Sequence, residues 1–234
     1  MLMSFKVLFP ALLCAAVAGA AEAASFDCSK AASVVEKKIC ANKILSKLDS
    51  RMAEAYRVAQ DRVKSDEVAL TELRRVQREY LRWRGEYLSH PAFDFEASMR
   101  ARLAFLEGIS GEQRKDFAGE WQSYFGTINI PKGDTGLNVR LEASEPATAR
   151  WICNFEGKGK REGAVLIVDQ AEKPEPEDDW KLRVTLVGRL LKVEEIEPTK
   201  KSAQGYAGSR PYCGMNGQAS GTFFPFDAHK GRGE

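Results

Sequence analysis

The sequence predicts an α+β chain in two domains, an antiparallel three- to four-helix bundle followed by a small antiparallel β barrel or sandwich. Three observations lead there. Apolar residues recur at spacings of three and four across residues 25–109, which is the helical period. Beyond Gly111 the period drops to two, in short runs broken by Gly, Pro and Asp, which is the strand period. The four cysteines after residue 23 divide evenly between these regions.

The elements follow in order. Lys6 precedes an apolar run over residues 7–17, and Ala18-Gly19-Ala20 and Ala21-Glu22-Ala23 each offer an A-x-A cleavage site, so residues 1–23 read as a secretory signal peptide. The run is too short for the ~20 apolar residues of a membrane span. Leu13 ahead of Cys14 argues against lipid attachment there. Ser33 and Glu36 form a capping box that opens a short helix ending at Cys40. Leu45, Leu48, Met52, Tyr56, Ala59 and Val63 build one apolar stripe on a second helix, with charge on its opposite face. After Ser65-Asp66 a third helix carries Leu70, Leu73, Gln77, Tyr80, Arg84 and Leu88, and His90-Pro91 interrupts it. A fourth, across residues 95–107, presents Met99, Leu103 and Leu106. This helical domain is placed at residues 25–109 and a β-rich domain at 117–228.

In the β-rich domain, Leu137, Val139 and Leu141 alternate, as do Trp151, Cys153 and Phe155, and Gly157-Lys158-Gly159 reads as the turn that follows. Further strand candidates span residues 124–130, 164–169, 180–187, 190–196 and 219–226, six or seven strands in all. An acidic loop lies at residues 172–179.

Charge and cysteine usage narrow the function. With 35 basic and 33 acidic side chains the chain lacks the positive field of a nucleic-acid binder. Cys28, Cys40, Cys153 and Cys213 in an exported chain imply two disulfides. Of the three connectivities, spacing favours Cys28–Cys40 and Cys153–Cys213, each within one domain. There is no C-x-x-C, and His90 and His229 are isolated, so neither a metal nor another cofactor is expected. H-E-x-x-H, G-x-G-x-x-G, the phosphate-binding loop and G-x-S-x-G are all missing from the sequence, and no histidine is placed to serve a nucleophile. The chain therefore reads as a binder rather than an enzyme.

The helical segment resembles the N-terminal domain of the LprI family of bacterial lysozyme inhibitors. The resemblance rests on Phe26-Asp27-Cys28-Ser29-Lys30-Ala31, Glu36-Lys37-Lys38-Ile39-Cys40, and Leu45-Ser46-Lys47-Leu48-Asp49 with Tyr56 beyond. It continues through Leu73, Gln77-Arg78, Tyr80-Leu81, Arg84 and Met99-Arg100-Ala101-Arg102-Leu103. The family usually has Trp where Tyr80 stands, and a second pair of cysteines, one in the stretch held here by Gly85-Glu86-Tyr87-Leu88 and one between His90 and Met99. Both ends of that bridge are missing, and burial of Phe93 or Phe95, at ~1.5–3 kcal/mol per apolar side chain, is expected to compensate.

The motif residues Glu36, Leu48, Tyr56, Gln77, Tyr80 and Arg84 are expected to be mainly structural. Glu36 caps its helix, Gln77 satisfies a polar group in the core, and Arg84 buries its stem and pairs with a carboxylate. Tyr56 and Tyr80 face the core with hydroxyls near the rim. Ser220-Gly221-x-x-Phe224, followed by Lys230-Gly231, resembles the Ser-Gly-x-x-Tyr signature of a separate, barrel-shaped class of lysozyme inhibitors. That likeness implies Ser220 and Lys230 as partner-binding residues, with Phe replacing the tyrosine.

The leader and the cysteines thus point to a periplasmic or secreted envelope protein, and the resemblance implies that its partner is lysozyme or another envelope protein. The alternative is a non-catalytic module that binds peptidoglycan or an envelope protein through exposed Trp121, Tyr124 or Phe125.

Overall fold

The computed structural model describes residues 24–133, 137–172, 179–198 and 210–227. Residues 1–23, expected to be a leader, most of the acidic loop and Lys230 lie outside them. Four helices, α1 (Val34–Cys40), α2 (Lys43–Val63), α3 (Glu67–Glu86) and α4 (Phe95–Gly108), precede eight strands. The strands are β1 (Gly119–Gln122), β2 (Gly126–Ile130), β3 (Leu137–Ser144), β4 (Ile152–Glu162), β5 (Val165–Gln170), β6 (Lys181–Val187), β7 (Leu190–Ile196) and β8 (Gly221–Pro225).

Each helix starts where a side chain takes up the orphan amides of its first turn. Ser33 Oγ accepts from the Glu36 amide while Glu36 accepts from the Ser33 amide, closing the capping box. Asn42, Asp66 and Asp94 cap α2, α3 and α4. Leu45, Leu48, Met52, Ala59 and Val63 of α2 meet Leu73, Val76 and Tyr80 of α3 and Met99, Leu103 and Leu106 of α4 in one core. α4 packs closely on α2, whereas α3 stands off from α4 with long side chains filling the gap. The connection that lacks the second bridge is filled by rings: Trp83, Tyr87, Phe93 and Phe95 form a chain of edge and tilted contacts at 5.8–6.3 Å.

All strand pairings are antiparallel, each strand joins the next, and β8 returns to β1, so the sheet closes as an eight-stranded barrel. Alternation puts Ile128, Leu141, Phe155, Leu166, Val168, Leu182, Val184, Leu191, Val193 and Phe223 inside. An eight-stranded barrel is just narrow enough for such side chains to fill it.

Two expectations change. β1 is a strand that the alternation did not reveal, because its four residues hold a single buried side chain, Trp121. Gly157-Lys158-Gly159 is not a turn: β4 runs through it to Glu162. A Cβ on Gly157 would collide with the Asp169 carbonyl oxygen, and one on Gly159 would lie 2.6 Å from Leu166 Cδ1, so these glycines let β5 pass at close range.

The two parts share a continuous junction. Leu190 and Phe224 of the barrel belong to the helical core, and Phe224 meets Phe105 edge-on at 5.9 Å. Arg189, in the β6–β7 hairpin, donates from Nη1 to the carbonyls of Arg62 (3.0 Å) and Gly111 (2.7 Å) and from Nη2 to Ser65 Oγ (2.9 Å). Its amide donates to Asp66 Oδ2 at 2.8 Å. Gly188 precedes it at φ +60°, a turn conformation that suits glycine, with Asp66 lying directly against it. Among the described residues no helix is long and apolar enough to cross a membrane.

Candidate functional site

Polar side chains gather at two buried places, one in each part of the chain. In the bundle, α3 aligns Gln77, Tyr80 and Arg84 along its inward stripe by the three-and-four spacing of a helix face. α4 answers with Arg102, three residues beyond Met99 and four before Leu106, a position within its apolar stripe. Gln77 Oε1 accepts from Arg102 Nε (2.9 Å) and Nη2 (2.7 Å). Burial pushes the Arg102 guanidinium down to about 10, because the charged form is kept from water.

Arg84 departs from expectation. It is 8% exposed, yet among the described residues no carboxylate pairs with it. Its guanidinium instead lies 5.4 Å from the Tyr80 ring centroid and 6.0 Å from that of Phe95. The Tyr80 hydroxyl also differs from expectation: it is buried and without a hydrogen-bond partner, not at the rim. Leu48 is buried and Tyr56 half-buried against the same core. Glu36 is held below the usual carboxylate range by the amides of Ser33 and Ala32. Cys28 and Cys40 are bridged, tying the segment before α1 to its end.

The second place is the mouth of the barrel. Leu191, Val193 and Glu195 share the inward side of β7, so Glu195 is a carboxylate in a position otherwise filled by apolar side chains. It accepts from the Tyr212 hydroxyl (2.7 Å), the Ala219 amide (3.1 Å) and Ser220 Oγ (3.1 Å), and it pairs with Arg210 at 2.7 Å. Burial, with Glu195 alongside, raises the Tyr212 phenol above its ordinary range. The bridge Cys153–Cys213 holds this segment to β4, and Tyr212 stacks edge-on against Phe155 at 5.0 Å. A cleft of about 540 Å³ opens beside it, between Asn154, Glu156, Gln170, Glu172 and Tyr212.

Ser220, expected to face a partner, thus has its hydroxyl engaged with Glu195, while Lys230 lies outside the described residues. Glu195 takes three hydrogen bonds and an ion pair from the 210–220 segment and so holds that segment in place. The proposed glycan anchors change as well. Trp121 is fully buried and donates from Nε1 to the Phe117 carbonyl, while Tyr124 and Phe125 are half-buried against the two cores. No cluster of His, Cys, Asp and Glu suited to a metal occurs among the described residues.

Glu195, Arg210 and Arg189 were not singled out from sequence. For Glu195 a signal existed: a carboxylate in phase with Leu191 and Val193. For Arg102 it was an arginine in phase with Met99 and Leu106.

Residues 28–114 match the family model Lysozyme inhibitor LprI, which covers the four helices and the link to the barrel. No curated protein and no solved structure matches the chain significantly.

Proposed function

We propose that the chain is an exported cell-envelope protein that binds lysozyme and inhibits it. The observation that supports this reading is the match of residues 28–114 to the lysozyme-inhibitor family model. In this reading residues 1–23 are a leader that is removed, residues 25–109 form the family's helical unit, and residues 117–228 form an appended β unit. The protein works in the periplasm or outside the cell, where the Cys28–Cys40 and Cys153–Cys213 bridges persist.

Inhibition asks for a preorganised body that loses little freedom on binding. The two disulfides, the closed barrel and the Arg189 junction support such a body. Lysozyme carries two acids in its cleft, and a cation or hydroxyl held rigidly there would block it. Lys230 is the sequence candidate for that cation. Ser220 contributes to contact only if its hydroxyl leaves Glu195.

The test is residual muramidase activity of c-type, g-type and i-type enzymes in the presence of the purified, oxidised chain. The reading expects loss of activity in at least one class. Undiminished activity in all three at micromolar excess would refute it. With Trp121 buried, no observation favours the glycan-binding module, and a pull-down on insoluble peptidoglycan is expected to leave the chain in solution.

A further inference from the structure

The seam between α3 and α4 holds a group of buried polar atoms without hydrogen-bond partners, most of them N–H donors. Arg84 Nε and Nη1, Arg102 Nη1, Trp83 Nε1, the Tyr80 hydroxyl and Ser98 Oγ are all buried there without a hydrogen-bond partner. Among the described residues the seam's side-chain carbonyl, Gln77 Oε1, is taken twice by Arg102, and the Tyr80 and Ser98 hydroxyls carry no formal charge to match the guanidiniums. Both guanidiniums lean on one ring: Arg84 Cζ lies 5.4 Å and Arg102 Cζ 5.3 Å from the Tyr80 centroid. Lys38 adds a third cation, 5.7 Å from the Phe95 ring that Arg84 also touches. Among the described residues the bundle's buried carboxylate is Asp49, and it is engaged by the amide and hydroxyl of Ser25.

Buried donors are ordinarily satisfied, and a buried guanidinium without a counter-charge is costly. A single anionic group at this seam would meet both demands. We propose that the α3–α4 seam, through Arg84, Trp83, Tyr80 and Ser98, is a binding site for a small carboxylate.

The chemistry selects a carboxylate in two ways. Arg84 Nε and Nη1, buried and unpartnered, offer charge-assisted N–H donors that a carboxylate accepts. The walls are rings: Trp83 stands edge-on to Tyr80 at 5.2 Å and to Phe93 at 5.8 Å, which suits a flat monoanion with an apolar substituent. A phosphate dianion would lose far more hydration on entering such surroundings. Trp83, Phe93 and Ser98 of the same seam are half-buried. The site is independent of the lysozyme reading.

The experiment is a titration of the ¹⁵N-labelled oxidised chain with sodium acetate, with sodium chloride at matched ionic strength as the control. The Trp83 indole and the Arg84 Nε resonances are followed. Saturable shifts with half-saturation below about 10 mM are expected for acetate and not for chloride. N-acetylmuramic acid, a carboxylate carried on a sugar, forms a second arm, and saturation by it as well extends the site to sugar acids. Arg84→Met is expected to abolish the response, and Arg84→Lys, which keeps the charge but replaces two separated N–H donors by one ammonium, to weaken it at least tenfold. Shifts that stay linear in acetate, tighter binding of phosphate than acetate, or an unchanged acetate response in folded Arg84→Met would each overturn the assignment.

Discussion

Arg189→Ala removes the side chain that joins barrel to bundle, and its cost can be worked from the contacts. The guanidinium donates to two main-chain carbonyls and one hydroxyl, and Nε faces Asp66 Oδ2 at 3.7 Å with the arginine side chain only 6% exposed. Hydrogen bonds from a charged donor contribute about 1.5–3 kcal/mol each, and acceptors stranded in a buried site add to the loss. Asp66 is not stranded, since it keeps the amides of Ala69 and residue 189. A net loss of about 3–5 kcal/mol follows, close to that for breaking a buried ion pair. The assay is urea unfolding read by helical circular dichroism and by tryptophan fluorescence, three of the four tryptophans (Trp121, Trp151 and Trp180) being in the barrel. The intact chain is expected to give coincident transitions, and Arg189→Ala separated ones. Arg189→Lys keeps the charge but cannot span three acceptors, so it falls between. Coincident transitions in Arg189→Ala with a loss under about 1 kcal/mol would refute the account of the junction.

Gly157→Ala places a methyl group against the Asp169 carbonyl and is expected to lower barrel stability by about 2–3 kcal/mol in the same unfolding assay. Replacing Cys153 and Cys213 by serine opens a 60-residue span and is expected to cost about 4 kcal/mol, against about 3 for the 12-residue span of Cys28 and Cys40. Thermal or urea midpoints of the two double variants rank them. Glu36, lowered chiefly by the Ser33 amide, contributes stability above its unfolded value that is lost as pH falls through its folded one. Glu36→Gln should therefore show a shallower fall in melting temperature than the wild type between about pH 5 and 3. Parallel curves for the two proteins would contradict that cap.

The helices were legible because each carries a one-sided apolar stripe and, for α1, a capping box spelled out in four residues. Most strands were legible by alternation, and closure of the barrel was one of the two options that alternation left open. What escaped the sequence depended on contacts across it. Gly157 and Gly159 look like a turn until β5 is seen lying against them. β1 is recognisable only through its pairing with β2 and β8. Arg84 was assigned a carboxylate by the general rule for buried charge, but what it meets are the rings of Tyr80 on its own helix and Phe95 on α4. Trp121 looked like a surface anchor because nothing local to Trp121 says that Phe117 and the barrel interior enclose it.

The central claim is that the intact chain binds lysozyme, and calorimetric titration of the oxidised protein with c-type, g-type and i-type lysozymes tests it most directly. The account predicts a saturable 1:1 complex with at least one class and a Kd below about 1 μM. Absence of saturable heat with all three at concentrations of tens of micromolar would contradict it.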